Sequence, residues 1–209
     1  MIKTFYYKCL EFFVLFVVLP ISFVVGTSPI VKTVTGLVGF LYVVYVLLVV
    51  EKEKFRLAKN LKWILFWRDT LLKFSVIVAL TTIFVNVTDK ESLFNVVLNK
   101  PKLWVFILFV YSLLSVYPQE IIFRTFFFKR YARFFRDKRL LILVNAVLFS
   151  LAHLFYGNNF VLLITFLGGL LFAWTYVETK STIMVSIEHA IYGCWLFTVG
   201  MGEILGFPT

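Results

Sequence analysis

Seven runs of predominantly apolar residues divide the chain, each about the 17–25 residues that a helix needs to cross a bilayer. They lie at roughly 10–26, 34–50, 66–87, 105–128, 140–157, 160–177 and 182–200. Short polar segments separate them. The third run is the least clean, because Arg68, Asp69 and Lys73 crowd its start. Pro20 interrupts the first, which bilayer helices tolerate when neighbouring groups satisfy the freed carbonyl. The pattern predicts an all-α, polytopic transmembrane helical bundle of about seven spans.

Composition agrees. Of 209 residues, 61% are hydrophobic and 20% aromatic, and the mean hydropathy is +0.94. A soluble domain averages about 45–50% apolar residues, so no second large soluble domain fits within this length. Cys9 and Cys194 have no metal-ligand spacing and read as small packing residues. Lys3 and Lys8 precede the first run, but no small-residue cleavage site follows it, so an uncleaved anchor is expected.

The net charge of +10 changes the picture only through its placement. Basic residues concentrate at Lys52, Lys54, Arg56, Lys59 and Lys62, and again at Lys129, Arg130, Arg133, Arg136, Lys138 and Arg139. Basic segments beside apolar spans favour the cytoplasmic side and anionic lipid. A cytoplasmic N-terminus puts these clusters and Lys180 inside, with only Lys32, Lys90, Lys100 and Lys102 outside. No nucleic-acid or nucleotide site is indicated. Gly168-Gly169, within the sixth run, lets helices approach closely.

The exceptions inside the apolar runs carry the candidate chemistry. An ionisable side chain at the bilayer centre costs roughly 2.5–3.5 kcal/mol on insertion scales and usually marks a function. Glu120, Arg124, His153, Glu188 and His189 all occupy such runs. Glu120 and Arg124 stand at i and i+4, close enough to pair on one helix face. Phe149 and Ser150 lie one turn before His153, and Gly193 one turn after His189 leaves space. Two imidazoles and a carboxylate can orient and deprotonate a water for amide hydrolysis. They can equally hold a divalent metal such as zinc, with His153 and His189 as ligands. Ser150 lacks an aspartate partner for a nucleophilic triad.

Gln119-Glu120-x-x-x-Arg124, Phe149-x-x-x-His153 and His189-x-x-x-Gly193, in that order on successive runs, resemble the CPBP family of intramembrane proteases. That family includes the type II CAAX prenyl proteases and the Abi or bacteriocin-processing proteins. Gly169, Tyr176, Thr179 and Ser181 resemble the stretch between its last two motifs. The resemblance covers about residues 105–200. It implies motif-free membrane helices over 1–104, catalytic core helices over 105–200 and a tail at 201–209. It further implies a membrane-associated protein or peptide as substrate and a multi-pass protein of the bacterial plasma membrane. Gln119, Glu120, Arg124, His153 and His189 would be the catalytic residues, working through a bound metal or a metal-free, glutamate-activated water.

Two positions depart from the family pattern. Its first Glu is Gln119 here, and a carboxamide can orient a water but cannot take its proton. Glu120 points about 100° away from Gln119 around a helix. The family's last Asn or Asp, which helps hold the oxyanion or substrate, is Gly193. Glu188 and Asn145, near the histidines in sequence, are candidate substitutes. The expected function is an intramembrane endopeptidase. The alternatives are a catalytically weakened pseudoprotease acting in membrane binding or bacteriocin self-immunity, and a small transporter or proton relay, for which no inverted repeat is visible.

Overall fold

The computed structural model describes residues 2, 4–26, 28–54 and 62–206. Lys3 before the first run, Arg56 and Lys59 of the first basic cluster, and the last three residues of the tail lie outside them. Among the described residues there is no strand, and seven helices are long and apolar enough to cross a membrane. They are α1 (Phe5–Ser22), α2 (Pro29–Val50), α3 (Trp63–Thr88), α4 (Pro101–Phe134), α5 (Lys138–Tyr156), α6 (Asn159–Thr179) and α7 (Thr182–Val199). The all-α, multi-pass class expected from the apolar runs is the one observed.

Start signals are local and chemical. Ser28, Asp137 and Ser181 each accept a hydrogen bond from a backbone N–H of the turn that follows, opening α2, α5 and α7. Pro29 follows Ser28 at the first helical position, where its missing N–H costs nothing. At the end of α7, Gly200 takes φ +113°, and a side chain there would strike the Ser92 carbonyl.

Several helices outrun the expected spans, α1 and α4 among them. α1 starts at Phe5 and α4 continues to Phe134, because charges that a hydropathy count treats as ends are paired within the protein. The chain divides into two compact units, one of residues 1–56 and 121–177, the other of 57–120 and 178–209. α4 contributes to both.

In the first unit, Phe16 of α1 is fully buried among the rings of Phe123, Phe126, Phe127 and Tyr131. Gly169 of α6 packs directly on the Ala146 backbone of α5, where an added Cβ would sit 3.0 Å from Ala146 Cα. Arg130 is 1% exposed and donates to both carboxylate oxygens of Glu11 (2.7 and 3.2 Å), to Glu51 (2.6 Å) and to the Ile2 carbonyl (2.6 Å). Tyr131 and Tyr42 also donate to Glu11. Arg130, expected as a topology signal, is therefore a buried anchor joining α1 to the end of α4.

In the second unit α3 packs along α7. Phe74 stacks on Tyr192, and Trp195 donates to Thr81 (2.8 Å). The opposite side of α3 exposes Leu72, Val76, Leu80, Ile83 and Val87. That spacing is one helical stripe, and a continuous apolar stripe facing outward suits lipid rather than water.

Candidate active site

Glu120, the last residue that α4 contributes to the second unit, is fully buried. Its Oε1 accepts from His189 Nδ1 of α7 at 2.7 Å. With a carboxylate accepting at Nδ1, the ring is held in the tautomer whose Nε2 is the basic nitrogen. That Nε2 faces the Tyr111 hydroxyl at 3.2 Å. Both contacts lie within the second unit. Gln119 belongs to it too, and its amide N–H donates to Ser115 Oγ (2.9 Å), while its Oε1 is buried with no hydrogen-bond partner among the described residues.

Glu188 is also fully buried, and its Oε1 pairs with Lys73 of α3 (2.7 Å) and accepts from Tyr192 (3.0 Å). Tyr192 is further tied to the Thr70 carbonyl (3.1 Å). The carboxylate considered as a substitute base is thus engaged by a lysine and a phenol. Lys73, the charge that made the third run look unclean, is its counter-ion.

Arg124, Asn145 and His153 belong to the first unit. Arg124 is fully buried and donates through Nη1 to Asn145 Oδ1 (2.8 Å), and the Asn145 amide donates to the Phe123 carbonyl (2.7 Å). The Arg124 guanidinium lies 4.8 Å from the Phe149 ring centroid and 5.8 Å from that of Phe172, cation–π distances. His153 Nδ1 donates to the Phe149 carbonyl (2.7 Å), and its ring packs 4.8 Å from the Phe149 ring. Both histidines thus hold the same tautomer, one through a carboxylate and one through a carbonyl.

Two local expectations are corrected. His153 does not sit in the middle of a helix: regular α-helix ends at Leu151, and His153 occupies the turn that follows, before Gly157 reverses the chain at φ +63°. The Ser150 hydroxyl, one turn before His153, donates to the Leu162 carbonyl (2.8 Å). The space expected beside Gly193 is filled by the Tyr111 phenol, which an added Cβ would strike.

Backbone geometry changes around the motif. The segments Tyr111–Val116 and Ile121–Phe126 of α4 are wound as π-helix, flanking the α-helical turn Tyr117–Glu120. π-turns insert an extra residue into an α-helix and recur at functional sites. One of these carries Tyr111 and the other Arg124.

For a metal, the donor set decides. Among the described residues no three His, Cys, Asp or Glu side chains gather as a metal centre requires. Both ring nitrogens of His189 already face protein partners.

Residues 101–195 match the family model described as type II CAAX prenyl endopeptidase Rce1-like. This segment is similar to the Rce1-like family. The Rce1-like segment begins at the start of α4 and ends within α7, so it contains Gln119, Glu120, Arg124, His153 and His189. No curated protein and no solved structure matches the chain significantly. Seven apolar helices and a segment similar to a membrane protease family fit a multi-pass integral membrane protein.

Tyr111 and Lys73 are the residues that sequence reasoning missed. Lys73 was visible as a charge inside an apolar run. Tyr111 carries no such signal, since a tyrosine is unremarkable in a chain with 10 of them.

Proposed function

We propose that the protein is an intramembrane endopeptidase that hydrolyses a peptide bond of a membrane-associated substrate through a water activated at Gln119, Glu120 and His189. The observation that supports this reading most is the 2.7 Å bond between buried Glu120 and His189 Nδ1 inside the Rce1-like segment. A carboxylate on Nδ1 orients the ring and balances the charge once Nε2 is protonated. Gln119 supplies an acceptor: its buried Oε1 can take one O–H of a water, which is what an unmatched buried carbonyl calls for.

The steps balance without a metal. Water gives a proton to the imidazole as its oxygen adds to the scissile carbonyl carbon. The imidazolium returns that proton to the amide nitrogen as the C–N bond breaks. His153 and Arg124 are assigned to the same reaction by the resemblance of their motifs. Arg124 is held by Asn145 and packs on Phe149, whose carbonyl fixes His153, so it supports that histidine's setting. The substrate class we propose is a lipidated C-terminal peptide, following the description of the family. The N-terminus is proposed to face the cytoplasm of a bacterial plasma membrane, on the distribution of Lys and Arg.

The test uses purified full-length protein in proteoliposomes, offered a farnesylated peptide ending in a CaaX sequence and its unprenylated counterpart. Wild type is expected to release the C-terminal fragment, and His189→Ala and His153→Ala to release none. Cleavage unchanged in both variants would overturn the reading. Tight peptide binding without cleavage by wild type would favour the pseudoprotease, for which Gln119 in place of a glutamate is the specific observation.

A further inference from the structure

The resemblance leaves one polar group unaccounted for, the Asn or Asp four residues beyond the last histidine, which is Gly193 here. The same corner of the second unit holds a polar group from another helix. Tyr111 enters from the π-wound turn of α4 and places its hydroxyl 3.2 Å from His189 Nε2. Its ring packs edge-on against Phe197, with centroids 5.0 Å apart, and stands edge-on to the His189 ring. A Cβ built on Gly193 would collide with the Tyr111 Oη, Cε1 and Cζ atoms. Three atoms of a rigid ring would be struck, not the tip of a flexible chain. Tyr111 and any side chain at position 193 therefore exclude each other.

We propose that Tyr111 is a positioning residue of this site, its hydroxyl serving His189 Nε2 in place of a side chain at 193, and that Gly193 is the opening that admits it. The chemistry fits the reaction proposed above, on which the catalytic part of the inference rests. A hydroxyl both donates and accepts. It donates to Nε2 in the resting site, yields that lone pair to the incoming water, and accepts from Nε2–H once the ring has taken the water's proton. One contact thus fixes the ring in both states, with Glu120 holding the other nitrogen throughout. The π-winding of Tyr111–Val116 accompanies this placement, in the turn just before Gln119-Glu120.

With only two histidines in the chain, the contact can be read directly. The full-length protein is labelled with ring-15N histidine in detergent micelles, and His153→Gln assigns the signals. Tyr111→Phe keeps the ring and its packing on Phe197 and removes only the hydroxyl. Gly193→Ala leaves the hydroxyl present but displaces it. Both are expected to shift His189 Nε2 in the same direction and to leave the His153 signals unmoved.

In the peptidase assay Tyr111→Phe is expected to lower kcat roughly tenfold, about what one hydrogen bond is worth, with KM unchanged. Tyr111→Ala/Gly193→Asn, which moves the polar group to α7, is expected to recover most of that loss. His189 signals identical in wild type and Tyr111→Phe would overturn the proposal, as would an unchanged kcat in a wild type that cleaves. A wild type that cleaves nothing would defeat the peptidase reading alone, because the nitrogen spectra would still decide whether Tyr111 serves His189.

Discussion

Each buried charge of the candidate site meets a specific partner. Glu120 takes His189, Glu188 takes Lys73, and Arg124 takes Asn145. The ionisable members of these pairs were legible because each breaks an apolar run, and such a break is costly unless it is compensated. Partners were less legible. Asn145 stood out only as a polar residue near His153, and the engagement of Ser150 with Leu162 follows from a chain reversal that no local pattern announces. Two predictions belong here. Asn145→Ala removes a hydrogen bond to a buried charge and should destabilise the protein by about 1.5–3 kcal/mol, measured by denaturant unfolding in detergent micelles. Ser150→Ala should leave peptide cleavage at the wild-type rate, and a collapse of that rate would point instead to a serine nucleophile.

Between elements, what hydropathy registers least is ionic. α1 begins earlier and α4 ends later than their apolar runs, because Glu11 and Arg130 neutralise each other where a residue-by-residue scale counts two penalties. The π-turns on either side of Gln119-Glu120 were equally hidden, since residues 111–126 contain no proline or glycine pair that marks a break, only Pro118 inside the intervening α-turn. Removing one partner of a buried ion pair leaves the other uncompensated. Arg130→Ala should therefore cost about 3–5 kcal/mol, read as a lowered thermal midpoint in micelles. Gly169, by contrast, was read correctly as a close-approach position. Gly169→Leu should destabilise the α5–α6 contact by about 1–3 kcal/mol in the same measurement, through overpacking against Ala146.

For the molecule as a whole, class was the most legible level. Seven apolar runs became seven helices long enough to cross a membrane, because length and hydropathy are properties of the chain that the bilayer reads directly. The division into two units was not legible, since each is assembled from two separate stretches of sequence. Orientation rests on charge placement. In sealed cells, with Cys9 and Cys194 replaced by alanine, a cysteine at position 90 should react with an impermeant reagent and one at 180 should not. The reverse pattern would invert the topology. The central claim, that a Glu120-backed imidazole drives hydrolysis within the membrane, is met most directly by comparing peptide turnover in proteoliposomes for wild type and Glu120→Gln. Loss of a group that serves the general base should cut kcat by roughly 10²–10⁴ with the fold intact. Equal turnover in the two proteins would contradict it.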